Sequence, residues 1–203
     1  MESDTWNGMV IRTGTDGDAA HAATLHAGQI TEGFLTFLGP KFLRRLYQRV
    51  ARDSGSFLLV VEHEGTPVGF LAGSTDVAAL YRSFVWRDGA AVALTCGGRL
   101  LRSSSRVIET LRHGTGETGK GAELLAVAVD PSARGLGAGT RLVEGFLEEI
   151  GRRGHDSAHV VVGAGNATAI ALYQSAGFST VTRFEMHAGT DSLLMQWPRP
   201  SEG

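Results

Sequence analysis

Cysteine is nearly missing from this chain: Cys96 is the one example among 203 residues. An internal disulfide is therefore excluded, and a lone thiol suits a reducing cytosol. Cys96 lies inside the apolar run 90–97, where a thiol packs as a small hydrophobe rather than acting as a nucleophile. No apolar run approaches the roughly 20 residues that a bilayer-spanning helix needs. The opening Met1-Glu-Ser-Asp-Thr5 has neither a basic nor an apolar segment, so no secretory signal is expected. A cytoplasmic location without a membrane partner is the resulting expectation. An excess of one charge is lacking too: 19 Lys and Arg stand against 21 Asp and Glu, for a net charge of −2. Bulk electrostatics thus give no reason to expect nucleic acid as a partner. The 7 histidines contain no His-Glu-x-x-His. His155 and His159 are four apart, but Gly151 and Gly154 break the helix before them, so no metal site is expected.

Glycine, by contrast, is abundant, with 28 residues. Its most informative cluster lies in Val127-Ala-Val-Asp-Pro-Ser-Ala-Arg-Gly-Leu-Gly-Ala-Gly-Thr140. A short apolar strand runs into a turn, then a glycine-rich loop with Arg134, then an amphipathic helix. The first N–H groups of a helix are unpaired, and the helix dipole favours negative charge beside them. Glycine, lacking Cβ, lets a phosphate approach the main chain. This stretch is therefore expected to hold a phosphorylated cofactor. A Walker loop is excluded, because Thr140-Arg141 follows Gly139 where Lys-Ser/Thr is needed. A dinucleotide fingerprint fits at Gly135 and Gly137 but fails at Thr140, and the loop comes late for a first βαβ unit.

Arg134-x-x-Gly137-x-Gly139 resembles the Gln/Arg-x-x-Gly-x-Gly/Ala signature of the GCN5-related N-acetyltransferase (GNAT) superfamily. Downstream, Asn166-Ala-Thr-Ala-Ile-Ala-Leu-Tyr173-Gln-Ser-Ala-Gly177-Phe178 is similar to that family's second signature, Asn-x2-Ala-x3-Tyr-x3-Gly-Phe. The resemblance is clear over 121–185, extends to 9–75, and is weak over 76–120. It implies a mixed, mostly antiparallel central sheet, splayed between the strands near Leu124 and Ala158. It also implies acetyl-CoA as co-substrate, with its pantetheine arm in the splay.

The hydropathy pattern predicts the remaining elements within a single domain of α/β or α+β class. Strands are expected at 9–13, 57–62, 67–74, 124–129, 158–162, 178–186 and 192–197. Helices are expected at 16–27, capped by Asp16 or Asp18, and at 41–52, where Phe42, Leu43, Leu46 and Val50 form one apolar face. Further helices are expected at 140–153 and from Asn166 or Thr168 to a C-cap at Gly177. Residues 31–40 read as an apolar loop with breakers at its end. An insert at 76–120 reads as a helix around Val77, Leu80, Tyr81 and Phe84, a second at 90–101, a short third at 107–111 and a flexible connection at 114–121. That insert is locally rich in arginine.

The resemblance also assigns candidate roles. The loop Arg134, Gly135, Leu136, Gly137, Ala138, Gly139 and Thr140 would bind the CoA pyrophosphate through backbone N–H groups. The backbone of Val127, Ala128 and Val129 would pair with pantetheine, and an N–H there is a candidate oxyanion donor. Asn166 would cap its helix and reach CoA. Tyr173, about two turns along that helix, is the candidate general acid for the leaving thiolate and a CoA contact. Glu123 is the candidate general base. Strand alternation would put Glu123, Leu125 and Val127 on one side. Glu32, Glu109 and His113 are rival bases. The acceptor side is expected from Phe34, Leu35, Phe37, the insert and the turn 186–192. The implied reaction is acetyl transfer to a primary amine of a small molecule, such as an amino sugar, a nucleotide amino sugar or a natural-product amine. Protein N-terminal acetylation and a non-catalytic acyl-CoA-binding module are the alternatives. Both a monomer and a homodimer remain open.

Overall fold

The computed structural model describes residues 8–30, 34–101, 121–185 and 191–198, with the backbone alone at 34, 37, 91 and 93–101. The predicted helix 107–111, most of the 114–121 connection, the 186–190 part of the last turn, and Glu32, Glu109 and His113 lie outside the described residues. So do the side chains of Phe34, Phe37 and Cys96.

The chain opens with β1 (Met9–Thr13), α1 (Ala19–Gln29), α2 (Phe34–Leu38) and α3 (Pro40–Arg52). The hairpin β2 (Ser56–His63) and β3 (Thr66–Ser74) follows, then α4 (Val77–Leu101). Next come β4 (Ala122–Val129), a 3-10 turn at Pro131–Ala133, α5 (Ala138–Arg152) and β5 (Ala158–Gly163). The last elements are α6 (Ala167–Ser175), β6 (Ser179–Glu185) and β7 (Asp191–Trp197). The strands form one sheet of order β1-β2-β3-β4-β5-β7-β6, antiparallel except for the parallel pair β4/β5.

Each face of the sheet has its own core. Phe57, Leu59, Val61 and Leu71 turn toward α5 and α6, packing with Leu142, Phe146, Ile150 and Tyr173. Leu58, Val60, Phe70 and Ala72 turn the other way, toward α1, α3 and Leu80 of α4. β2 is buried over its first six residues, as an apolar run covered on both faces must be. Among the described residues no helix is long and apolar enough to cross a membrane.

Four expectations are corrected. The loop 31–40 contains the short helix α2, and Pro40 occupies the first turn of α3, where its missing N–H costs nothing. Asp18 stands at the N-cap of α1 but makes no capping bond. Its carboxylate instead accepts from the Thr15 N–H and pairs with Arg12, which holds its pKa well below the usual range. The two helices expected at 77–84 and 90–101 are one continuous helix, α4. Asp88, at the expected break, accepts from Arg49 Nε at 2.8 Å and from its terminal nitrogen at 2.7 Å, fastening the middle of α4 to α3. Phe84 and Val92 then bury one helical face, over two turns, against Phe42 and Leu46. Finally, Glu123, Leu125 and Val127 do not share a side. The β3/β4 register jumps from Ala72↔Ala126 to Gly73↔Leu124, leaving Leu125 as a bulge. Leu125 and Ala126 therefore both face α1 and α3, while Leu124 and Val127 face α5.

Candidate functional site

β4 and β5 pair only at Ala122↔Ala158 and Glu123↔His159. Beyond those two rungs the strands diverge, since β5 is held along its whole length by β7, from Ala158↔Trp197 to Gly163↔Ser192. The β4 edge from Leu124 to Val129 consequently faces a wedge rather than a neighbouring strand. The expected splay is present, at the expected strands.

At the mouth of the wedge the chain makes the glycine loop. Asp130 folds back onto Ser132, accepting from its N–H at 2.9 Å and from its hydroxyl at 2.6 Å, and these bonds lower its pKa. The acid of the loop is thus tied into the 3-10 turn and leaves the α5 terminus alone. Gly135 and Gly137 adopt φ of +75° and +85°, a region that side-chain-bearing residues rarely occupy. Gly137 is the N-cap of α5 and offers no side chain, and the first turn of α5 has no acidic residue. The first N–H to find a carbonyl is that of Arg141, on Gly137, at 3.0 Å. The N–H groups of Ala138, Gly139 and Thr140 point out of the helix end, with the positive end of its dipole.

These parts enclose a cavity of about 670 Å³. Its walls include Val127, Ala128 and Val129 of β4, with Arg134, Gly135, Gly137, Ala138, Gly139 and Thr140 of the loop and α5. Asn166 closes the far side. Ten of the sequence-predicted residues thus come together around one space. Leu136 does not line it; its side chain packs against the α5 core. Tyr173 lies behind the wall, 5% exposed, with its ring 5.8 Å from Phe178. Burial pushes the Tyr173 phenol pKa well up, so it keeps its proton at neutral pH. Asn166 caps α6, its side-chain oxygen accepting from the Ala169 N–H at 3.1 Å.

The cavity has walls that the motifs did not name. Thr168, Ala169 and Leu172 line it from α6 at helical spacing, a signal available once the helix is placed. Gln29, at the end of α1, also lines it, and its side-chain oxygen accepts from Arg134. No sequence pattern marks Gln29. Glu123 is not part of this cavity. It stands at the closed end of the wedge, on the α1/α3 face, with its Oε2 3.4 Å from Nε2 of His159. Tyr81 of α4 is close enough that the Glu123 charge adds to burial in raising its phenol pKa. Leu35 of α2 packs against both the α1/α3 core and the cluster that joins α3 to α4.

The pattern of the Acetyltransferase (GNAT) family matches residues 29–178. The chain belongs to that family. Over 82 residues it is 43% identical to the [Ribosomal protein bS18]-alanine N-acetyltransferase of Escherichia coli K12, covering 38% of this chain and 55% of that protein. The chain therefore spans about half the length of the curated relatives it matches. The solved structure of yncA, a putative acetyltransferase from Salmonella typhimurium with its cofactor acetyl-CoA, superposes with a TM-score of 0.61 at 19% identity. That match covers 97% of this chain and 98% of the other. The E. coli ribosomal-protein-S18-alanine N-acetyltransferase superposes with a TM-score of 0.56 at 19% identity, covering 93% and 92%. At these identities the superpositions show the GNAT fold. Among the described residues no group of three or more His, Cys, Asp or Glu is arranged to hold a metal ion.

Proposed function

We propose that this chain is an acetyl-CoA-dependent N-acetyltransferase of primary amines. The carrying observation is the wedge that ends on an uncapped α5 terminus, with a cavity joining the two. The residues fit a CoA-type group. Two positive-φ glycines open the approach, three N–H donors point outward, the first turn of α5 holds no acid, and the Asp130 carboxylate is engaged by Ser132. Ala138, Gly139 and Thr140 would hold the pyrophosphate, with Arg134 beside them. The open edge of Val127–Val129 would take the amide arm as an added strand would. When bound, acetyl-CoA supplies an acetyl group activated as a thioester.

The chain's own side chains supply the proton handling. Glu123 accepts the proton that the amine must lose before it can attack, directly or through water. A backbone N–H on the open edge of β4 donates to the oxygen on which negative charge develops. Tyr173, the tyrosine of the second signature, holds a proton at its hydroxyl for the departing thiolate. The Asn166 cap fixes the start of α6 and so the placement of Tyr173.

The acceptor is read as a compact amine, such as an amino sugar or another small molecule. Glu123 lies recessed, its side chain 21% exposed, and its charge reaches Tyr81 of the 25-residue α4. A second reading, acetylation of a protein N-terminus, is favoured by the named substrate of the E. coli relatives. The deciding assay is release of free thiol from acetyl-CoA with glucosamine, a nucleotide amino sugar, spermidine and an alanine-starting peptide as acceptors. Preference for the amino sugars or polyamine supports the compact site, and preference for the peptide supports the second reading. Acetyl-CoA binding without turnover on any acceptor would count against catalysis and for an acyl-CoA-binding module. Arg134→Glu should weaken acetyl-CoA binding by putting a negative charge beside the pyrophosphate; unchanged affinity by calorimetry would remove the loop from the site.

A further inference from the structure

Two ionisable side chains from neighbouring strands meet at the closed end of the wedge, away from the cavity, Glu123 of β4 and His159 of β5, and Tyr81 of α4 is near enough to feel the Glu123 charge. Parallel pairing places Glu123 directly beside His159, and β7 places Gln196 on the other side of the histidine. The histidine is out of character for its strand. Its neighbours in β5 are Ala158, Val160, Val161 and Val162, and its side chain is only 7% exposed. Nδ1 is buried and has no hydrogen-bond partner. A buried polar atom without a partner is rare enough to need a reason. An orphaned N–H is less tolerated than an orphaned lone pair, so the ring proton belongs on Nε2, the nitrogen that faces Glu123.

We propose that His159 is the positioning residue of Glu123. Its Nε2–H donates to Oε2, fixes the rotation of the carboxylate, and leaves Oε1 as the oxygen that takes the amine proton. The present 3.4 Å is long for a hydrogen bond to a carboxylate, and catalytic contacts of this kind tighten once substrate is bound. The free Nδ1 is the cost of placing an imidazole here. A valine, which the rest of β5 uses, would pack without that cost but would offer no donor. The inference rests on the reading of Glu123 as the general base.

A double-mutant cycle separates the two ideas. Thiol release from acetyl-CoA is followed with glucosamine and with an alanine-starting peptide as acceptors. His159→Leu should lower kcat roughly tenfold or more, while acetyl-CoA affinity by calorimetry stays unchanged. His159→Gln, which can return an N–H near the Nε2 position, should recover part of the rate. In a Glu123→Gln background, His159→Leu should have no further effect. If Glu123→Gln leaves the rate untouched, the base assignment falls and this inference with it. If Glu123→Gln is damaging but the loss from His159→Leu is absent, or adds to it in full, the positioning role alone is overturned. Long-range proton–nitrogen spectra of the imidazoles test the same point without an acceptor. His159 should be an Nε2–H tautomer whose shifts change in Glu123→Gln. An Nδ1–H tautomer, or shifts indifferent to that substitution, would overturn the proposal.

Discussion

A Cβ built on Gly121 would lie 2.0 Å from the carbonyl oxygen of Ser157, and the residue sits at φ +84°. Both facts arise because β4 must begin against β5, with the Ala122 N–H donating to that same Ser157 oxygen at 2.9 Å. The left-handed backbone alone costs a side-chain-bearing residue about 1–2 kcal/mol, and the clash with backbone adds to it. Gly121→Ala should therefore lower stability by roughly 3 kcal/mol or more. Gly28 in α1 is the contrast: its Cβ would meet nothing within 4 Å and its φ is ordinary. Gly28→Ala should stabilise by about 0.5 kcal/mol. Urea unfolding of the two variants checks both signs, and a mild effect at Gly121 would mean the start of β4 is free to shift. Tyr173→Phe keeps the packing on Phe178 and removes only the hydroxyl. It should lower kcat by about a hundredfold with little change in acetyl-CoA affinity. Equal losses in both would make Tyr173 a packing residue. At this scale the glycine loop and Asn166 were readable because each is a local device, a backbone turn or a cap. Gln29 and His159 were not, since their partners, Arg134 and Glu123, lie far away in sequence and are brought close only by the sheet and by α1.

Between elements, the packing of α1 on α3 contains a buried polar contact inside an otherwise apolar layer. His26 and Tyr47 share a hydrogen bond of 2.5 Å, and His26 is 3% exposed. Burial lowers the His26 pKa to about 4 from an ordinary 6.5. A histidine depressed in this way contributes stability that is fully present above pH 6.5. As pH falls toward 4 the unfolded chain takes up a proton that the folded chain refuses, and the stability is lost over that window. The depression corresponds to roughly 3 kcal/mol as an order of magnitude. His26→Gln should flatten the acid side of the stability profile between pH 7 and pH 4, as measured by urea midpoints. An unaltered slope would show that other groups govern it. The helix pattern of α3 was legible because its apolar positions repeat at helical spacing. The unity of α4 was hidden, because Asp88-Gly89 reads locally as a break and only Arg49 of α3 shows why the helix continues through it. The β4 bulge at Leu125 was hidden for a related reason: alternation assumes an uninterrupted ladder, and a bulge is a property of two strands together.

For the molecule as a whole, the sheet is two half-sheets, β1 to β4 and β5 to β6, joined by two rungs of strand pairing and by the helices above them. The cavity wall is drawn from both halves: Val127–Val129 and the α5 terminus on one side, Asn166, Thr168, Ala169 and Leu172 on the other. A ligand filling that space acts as a tie between the halves as well as a reactant. Acetyl-CoA at about 100 times its Kd should contribute about 2.7 kcal/mol, which for a chain of this size raises Tm by roughly 5–10 °C. Hydrogen exchange locates the tie. Amides in 127–140 and in 166–172 should slow together on adding acetyl-CoA, while those of α3, on the opposite face, should not change. Inorganic phosphate, which can occupy only the helix terminus, should protect the loop and leave α6 as it was. Protection by acetyl-CoA confined to 134–140 would mean that the ligand rests on the loop without entering the wedge. In that case the splay would be a consequence of the short β4/β5 pairing alone, and the contribution of α6 to binding would have to be abandoned.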